Sequence, residues 1–411
     1  MALSVFINIS LIIVFKYANF LADGVIEIFK ICGVSISRVP WDITLPIGIS
    51  FYTFHAISYV VDVYRKQIEP NRSFILFCNY VIFFPQLVAG PILRAGEMIW
   101  QLQQRPKFES RFISNGFLRI IAGLFLKVVL ADNLAPFVDE AYAVNPAGLF
   151  LLDTLTLGFI FGFQIYFDFS GYSHIAIGVA QLMGIRFPEN FDYPYLSLNP
   201  RMFWRRWHIS LSSWIRDYIY LPLAGVKVVE RNSTGGIGID GTGQVGKNSV
   251  ILALFTTWII MGLWHGAAWT FAVWGLWHAI LVQGHRWIQP YVSKVNSIFF
   301  NVIGWGLTLV LVMLGWIPFR APTLEYTITV WKNLGKIRDF NRLGLREVIY
   351  LVAALTLVLT VLAPFGWRFI GNSLKRYPVV SESFIIVGLI LALTLIVVYL
   401  RPVNQFIYFQ F

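Results

Sequence analysis

Two histidines stand in a strongly apolar stretch, MGLWHGAAWTFAVWGLWHA, at residues 261–279. Burying an imidazole among aromatic side chains costs free energy unless something pairs with it. A buried imidazole stays neutral, and a neutral imidazole can take a proton from a hydroxyl as that hydroxyl attacks a carbonyl. His265 and His278 are therefore candidates for a general base, with a hydrogen-bonded structural histidine as the alternative for each.

The spacing of the two histidines limits how they can act. If residues 261–279 form one helix, the 13 positions between them place the side chains about 220° apart around its axis. They then face different directions and cannot share one site, so at most one of them is catalytic. His265 lies between Gly262 and Gly266, where the backbone can pack closely or admit a ligand.

The remaining polar residues form no recognisable metal or nucleophile motif. The histidines are too scattered for a zinc site, and neither HExxH nor GxSxG occurs. Cys32 and Cys78 show no metal, redox or disulfide spacing. Asp168, within FDFSGYSH at 167–174, is an ionisable group at membrane depth. We expect it to satisfy backbone N–H groups of a broken helix rather than to act as an acid or base.

The composition predicts where these residues are held. The chain of 411 residues is 57% hydrophobic and 13% charged, with a mean hydropathy of +0.67. In a soluble protein about a quarter of the residues would be charged. We therefore predict an all-α, polytopic integral membrane protein, with residues 1–411 forming one membrane domain. It should have about ten membrane segments plus re-entrant or interfacial helices. The hydrophobic stretches fall at 3–22, 43–62, 73–92, 114–131, 149–184, 250–268, 269–288, 298–318, 348–366 and 382–400.

Two of these stretches look irregular. The one at 73–92 contains Pro85 and is predicted to break or to re-enter the membrane. The one at 149–184 is too long for one straight crossing, and we expect a kink or a break at Asp168 and Gly171 that leaves a tilted or a split helix.

Loop charge predicts an orientation. Residues 132–148 carry no Lys or Arg and should lie outside, whereas the basic segments 93–113 and 185–248 should lie inside. Beyond residue 250 the topology stays open. The net charge of +11 suits loops that meet anionic lipid head groups, and no basic cluster indicates binding of nucleic acid.

The long polar segment has two parts. Residues 199–225, NPRMFWRRWHISLSSWIRDYIYLPLAG, predict one amphipathic helix that lies in the membrane interface or dips into the protein. Residues 226–248 predict a flexible, Gly-rich cytoplasmic loop without phosphate-loop spacing. Up to this point a transporter and an intramembrane enzyme both fit. The absence of paired internal repeats in the sequence favours the enzyme.

Several motifs resemble the membrane-bound O-acyltransferase family, in the branch with alginate O-acetyltransferase membrane subunits and D-alanyl-teichoic-acid transferases. RWHISLSSWIRD and WHG occur about one loop and one helix apart, and this combination is highly specific. Further matches to the alginate type are FKYANF at 15, LPIGISFYTFHAISYVVDVYR at 45, FFPQLVAGPILR at 83, IYFDFSGYSHIAIG at 165, GIRFPENFDYPY at 184 and the terminal RPVNQFIYFQF. The resemblance also implies further hydrophobic helices ahead of FKYANF, which this sequence lacks.

The resemblance implies specific roles. His265 becomes the catalytic residue, in a central tunnel through the membrane, His208 the second essential histidine, and His278 a structural one. The donor is an acyl thioester, acetyl-CoA or an acyl carrier protein, with no bound cofactor and no metal. Other candidates for donor or substrate contacts are Arg205, Arg206, Trp264, Asp168 and Asn190. For the two arginines we expect contact with phosphates of a pantetheine arm, with interfacial anchoring as the alternative.

The implied activity is transfer of an acyl group, most simply acetyl, to hydroxyls of an extracytoplasmic polysaccharide. The implied location is the bacterial cytoplasmic membrane, and the implied partner is an extracytoplasmic protein of the acetylesterase type. D-alanyl or another short-acyl transfer from a carrier protein is the alternative among enzymes, and small-metabolite transport is the alternative outside them.

Overall fold

The computed structural model describes residues 1–411 except 38, 45, 88–89, 105–108, 232–236, 241–246, 293–296, 340, 375–377, 402–405 and 408–411. Side chains are also not described for 227–231, 237–240, 247, 367–374, 378–382 and 384.

The described chain is almost entirely helical. Its α-helices are α1 (Ala2–Ile12), α2 (Ala18–Ile31), α3 (Ile49–Tyr64), α4 (Phe74–Ile82), α5 (Phe84–Leu87), α6 (Ala95–Gln103), α7 (Ser110–Leu124), α8 (Asp132–Ala143), α9 (Leu151–Leu182), α10 (Pro200–Arg206), α11 (Ile209–Ile215), α12 (Leu221–Leu223), α13 (Lys247–His265), α14 (Trp269–Val292), α15 (Ile298–Arg320), α16 (Leu324–Lys332), α17 (Glu347–Leu374) and α18 (Pro378–Tyr399). Short 3₁₀ turns are Pro146–Gly148, Pro194–Leu196, Asn333–Gly335 and Ile337–Asp339.

Three π-helical segments interrupt this pattern. Ile13–Tyr17 joins α1 to α2, Phe125–Ala131 joins α7 to α8, and Arg216–Tyr220 joins α11 to α12. Such segments turn a few side chains out of the regular helical register and are frequent at functional sites. Each contains ionisable residues that make hydrogen bonds or ion pairs within the fold: Lys16, Lys127, and the pair Arg216 and Asp217.

Among the described residues, five helical stretches are long and apolar enough to cross a membrane. They are Ala2–Ile31, Ser110–Ala143, Asn248–His265, Ile298–Arg320 and Glu347–Gly366. The all-helical membrane architecture predicted from the sequence is confirmed, while the count of about ten segments stays a prediction. The predicted break in 73–92 is present, because α4 ends at Ile82 and only the four-residue α5 follows.

The expected split of 149–184 is wrong. α9 runs without interruption for 32 residues, and most of them are buried. Gly171 is required for a close helix contact instead: a Cβ there would lie 2.8 Å from the carbonyl oxygen of Gly123 on α7. Gly178 faces the backbone of Gly116 in the same way, seven residues later on α9 and seven residues earlier on α7. Small residues let membrane helices approach this closely.

Asp168 likewise does not mark a broken helix. Its Oδ1 accepts a hydrogen bond of 2.5 Å from Lys127 Nζ, which also lies 2.8 Å from Asp132 Oδ1. Its Oδ2 accepts the backbone N–H of Ile407 at 2.8 Å. The carboxylate does satisfy a backbone N–H group, but that group belongs to the C-terminal segment rather than to α9.

Residues 199–225 do not form one amphipathic helix. α10 ends at Arg206, His208 has a left-handed conformation with φ of 42°, and α11 begins at Ile209. The apolar positions of the predicted stripe are nevertheless buried, including Trp207, Leu211 and Trp214. In the segment predicted as a flexible loop, β1 (Lys227–Arg231) pairs antiparallel with β2 (Ile237–Asp240).

Candidate active site

The stretch 261–279 forms a helical hairpin rather than one helix. α13 ends at His265 and α14 begins at Trp269, so the geometric argument that separated the two histidines is wrong. The two helices touch closely, because a Cβ on Gly262 would lie 2.2 Å from the carbonyl oxygen of Phe271. The hairpin brings both imidazoles against one indole: the ring of Trp274 lies 5.0 Å from that of His265 and 5.0 Å from that of His278.

His265 is held in an aromatic enclosure formed by three helices. Its ring centroid lies 4.8 Å from Trp264, 5.0 Å from Trp274 and 5.1 Å from Phe319, each in an edge-on arrangement. The residue is 7% exposed. These rings leave the imidazole few alternative orientations and exclude bulk water, which is the environment that a general base needs to keep a fixed geometry.

The end of α13 is also bound by two side chains of the π-helical segment Ile13–Tyr17. Lys16 Nζ donates to the carbonyl oxygen of Trp264 at 2.6 Å and to that of His265 at 3.1 Å. Tyr17 Oη donates to the carbonyl oxygen of Leu263 at 2.5 Å. The last carbonyls of a helix have no partner within it, so Lys16 supplies donors to Trp264 and His265, whereas the Leu263 carbonyl also accepts the backbone N–H of Gly266 at 3.1 Å.

His208 approaches the same region from the junction of α10 and α11. It is 1% exposed, and its ring packs edge-on at 4.5 Å from Phe169. Trp204, four residues earlier, packs 5.6 Å from Trp274, the indole that lies beside His265. Its positive φ is a conformation that a non-glycine residue keeps only where its surroundings hold it. The structure therefore packs the segment of the RWH motif against the aromatic enclosure of the WHG histidine.

Asn190 supplies the surroundings that hold His208. Its Oδ1 accepts the backbone N–H of Ser210 at 3.2 Å and the hydroxyl of Ser210 at 2.9 Å. Its Nδ2 donates to Ser173 Oγ at 3.1 Å, and its carbonyl accepts the N–H of Ile209 at 2.9 Å. Because the His208 side chain makes no cap bond at the start of α11, Asn190 acts as a cap from a distance. All four contacts are within the protein rather than toward a cavity.

His278 is completely buried among indoles. Its Nδ1 accepts a hydrogen bond of 3.3 Å from Trp204 Nε1, while Nε2 has no hydrogen-bond partner among the described residues. A Cβ on Gly315 would lie 2.9 Å from that Nε2, so the glycine provides the space for the ring. The assignment of His278 as a structural residue stays a prediction.

A cavity of about 330 Å³ opens beside α10 and α11. Four arginines, Arg201, Arg205, Arg216 and Arg286, contribute to its walls. Trp258 and Met261 line it as well, and Met261 lies one helical turn before His265, on the same face of α13. The cavity therefore combines a basic wall with an apolar one near His265.

The arginine cluster makes the cavity strongly basic. Burial and the positive charges of Arg205 and Arg286 lower the pKa of Arg201. Like charges held together in this way favour a bound anion. Arg206, the other arginine predicted to meet phosphates, is not in the cavity wall: its Nε lies 3.7 Å from Asp192 Oδ2.

The predicted site residues thus divide into two groups. His265 and Trp264 are in contact, the segment of His208 packs against the same enclosure, and Arg205 lines the adjacent cavity. Asp168, Arg206 and Asn190 make ion pairs or hydrogen bonds within the protein instead. Sequence reasoning missed Lys16, Tyr17 and the aromatic residues Trp274 and Phe319. The one available signal was a lysine in the middle of an apolar N-terminal stretch.

Comparison with known proteins agrees with the motifs. The profile of the membrane-bound O-acyltransferase family matches residues 65–236. The chain is 38% identical over 372 residues to the probable alginate O-acetylase of Pseudomonas aeruginosa, covering 89% of this chain and 66% of that protein. It is 37% identical over 370 residues to the probable alginate O-acetylase of Pseudomonas putida, covering 89% of this chain and 71% of that protein. It is 32% identical over 252 residues to the teichoic acid D-alanyltransferase of Streptococcus thermophilus, covering 59% of this chain and 57% of that protein.

These similarities extend well beyond the two histidine motifs, since two of them cover 89% of the chain. The chain spans 66% of the length of the Pseudomonas aeruginosa relative and 71% of that of the Pseudomonas putida one. With the family profile, the apolar helices and the two histidine motifs in agreement, the chain belongs to the membrane-bound O-acyltransferase family.

Proposed function

We propose that the chain is a membrane O-acyltransferase that passes an acetyl group from a cytoplasmic thioester to hydroxyls of an extracytoplasmic polysaccharide. The observation that carries this proposal is the placement of His265. Its imidazole is enclosed by aromatic rings, shares Trp274 with the segment that leads to His208, and stands one helical turn from a residue that lines a basic cavity. Similarity to the probable alginate O-acetylases supports the acetyl group and the polysaccharide.

The proposed reaction needs only a base and a good leaving group. His265 takes the proton of the acceptor hydroxyl while its oxygen attacks the thioester carbonyl. The tetrahedral intermediate collapses, the C–S bond breaks, and the proton passes from His265 to the departing thiolate. An ester and a free thiol result, and the imidazole is neutral again. His208 orients the thioester or the path of the proton.

The cavity supports acetyl-CoA as the donor. Coenzyme A carries a diphosphate and a further phosphate, whereas the pantetheine arm of a carrier protein has one phosphodiester. Arg201, Arg205 and Arg286 match the larger charge, while Arg216 is already paired with Asp217. The orientation predicted from loop charge, with 185–248 inside, opens this cavity to the cytoplasm. D-alanyl transfer from a carrier protein is the second candidate, favoured by similarity to the teichoic acid D-alanyltransferase.

The acceptor hydroxyls lie on the extracytoplasmic side of the membrane in this proposal. An extracytoplasmic partner of the acetylesterase type carries the acetyl group on to the sugar hydroxyls, so transfer to polysaccharide requires both proteins. The protein resides in the bacterial cytoplasmic membrane. Small-metabolite transport would need no donor and would leave no ester product.

Labelled acetyl-CoA supplied to inside-out membrane vesicles that contain the polysaccharide and the extracytoplasmic partner tests the proposal. We expect labelled ester inside the vesicles, with release of one thiol for each acetyl transferred. Arg201→Gln and Arg205→Gln should each raise KM for acetyl-CoA about tenfold, since a hydrogen bond to a charged group contributes about 1.5–3 kcal/mol. Arg206→Gln is the matched control and should leave KM unchanged. Transfer from a D-alanyl carrier protein instead would support the second candidate, and solute flux without ester formation would support a transporter.

A further inference from the structure

Lys16 is an ionisable residue in the middle of the first membrane-crossing helix, Ala2–Ile31. Charged side chains at such a depth are costly and are retained where they have a task. Among the described residues, the hydrogen bonds that Lys16 Nζ makes go to the last two carbonyls of α13, at 2.6 Å for Trp264 and 3.1 Å for His265. The lysine is thus bound to the backbone of the proposed base, across 249 positions of sequence.

The local structure of the first helix presents Lys16 and Tyr17 together. Both belong to the π-helical segment Ile13–Tyr17, where the wider turn moves consecutive side chains toward one side. Tyr17 Oη adds the third bond, 2.5 Å to the carbonyl oxygen of Leu263. Three successive carbonyls of α13 therefore receive donors from one short segment. Such donors matter at membrane depth, where no water can replace them.

The contacts of Lys16 also extend to the rings around His265. Its ammonium lies 5.8 Å from the centre of the Trp264 ring, within the range of a cation–π interaction. The Trp264 ring in turn packs 4.8 Å from the His265 ring and 5.1 Å from that of Phe54. Lys16 thereby holds both the backbone and one aromatic wall of the enclosure.

We propose that Lys16 and Tyr17 are positioning residues that fix the end of α13 and thereby the orientation of the His265 imidazole. The proposal rests on the proposed acetyl transfer, since positioning is measured through the turnover that it supports. Neither residue lines the cavity, so donor binding does not depend on them. Their loss should affect the chemical step and not the affinity for the donor. A displacement of about 1 Å at a reacting group can cost roughly 100-fold in rate.

The experiment compares kcat and KM for acetyl-CoA among variants of the full-length protein, with rates normalised to folded, monodisperse protein. Lys16→Met, which keeps the length but removes the donors, should lower kcat roughly 10- to 100-fold and leave KM unchanged. Lys16→Arg retains donors and charge and should restore much of kcat. Lys30→Met is the matched control, since Lys30 is exposed near the end of the same helical stretch and should be replaceable without effect.

Tyr17→Phe covers the case in which Lys16→Met does not fold. It removes one of the three bonds and should lower kcat several-fold at unchanged KM. Wild-type kcat in both Tyr17→Phe and any folded Lys16→Met would overturn the proposal, as would a Lys16→Arg variant no better than Lys16→Met. Absence of acetyl transfer in the unaltered protein would instead contradict the proposed function, so the two failures are distinguishable.

Discussion

Replacing Asn190 with alanine separates two accounts of this residue. The sequence suggested a contact to the substrate or donor, whereas the structure places its side chain between Ser173 of α9 and Ser210 of α11. On the structural account, Asn190 holds the left-handed backbone of His208, and its removal affects stability and the placement of that imidazole. On the earlier account, its removal weakens donor binding.

The hydrogen bonds set the magnitude. Asn190→Ala removes bonds of 3.1 Å to Ser173 Oγ, 3.2 Å to the Ser210 N–H and 2.9 Å to Ser210 Oγ. At about 1 kcal/mol each, their loss lowers the free energy of unfolding by about 3 kcal/mol. Ser173→Ala removes one of the three and should cost about 1 kcal/mol. Because the two residues are partners, the double variant should be less destabilised than the sum of the single ones.

Unfolding in mixed micelles with increasing denaturing detergent measures this free energy, and acetyl transfer measures the site. We expect Asn190→Ala to lose stability as calculated and to lose turnover, with KM for acetyl-CoA unchanged. A variant of full stability whose KM rises tenfold would refute the structural reasoning and reinstate the contact with the donor.

Two further perturbations concern the packing that supports the site. Lys127→Met leaves Asp168 and Asp132 without their buried cation, so we expect a loss of about 3–5 kcal/mol in unfolding free energy. Adding Asp168→Asn should recover part of this loss. An unchanged free energy of unfolding in Lys127→Met would contradict the ion pair. Gly262→Ala places a Cβ 2.2 Å from the carbonyl oxygen of Phe271 and should destabilise the α13–α14 hairpin by about 1–3 kcal/mol. Gly284→Ala is its control, because a Cβ there meets nothing within 4 Å, and equal thermal stability of the two variants would be evidence against this close contact.

The sequence was sufficient for the class of fold, because composition carries that information, while the roles of the two motif histidines stay predictions. It was insufficient wherever long-range packing decided the outcome. Gly171 looked like a helix breaker, yet its lack of a side chain serves the contact with Gly123 on α7. Asp168 looked like a cap, yet its partners Lys127 and Ile407 lie 41 and 239 positions away.

The histidine hairpin shows the same limit. The division of the hydrophobic stretches between 268 and 269 coincides with the start of α14 at Trp269, whereas the spacing of the two histidines predicts different directions only if 261–279 is one helix. The turn instead packs both against Trp274. Lys16 could not be assigned at all, since its partners are backbone carbonyls, which have no sequence signature.

The central claim is that His265, and not the neighbouring His278, is the base for acyl transfer. Labelled acetyl transfer by His265→Ala and His278→Ala, each normalised to folded protein, tests it most directly. The account predicts that the rate of acetyl transfer falls by about 10²- to 10⁴-fold in His265→Ala and is retained in His278→Ala. Transfer by His265→Ala at the wild-type rate would contradict it.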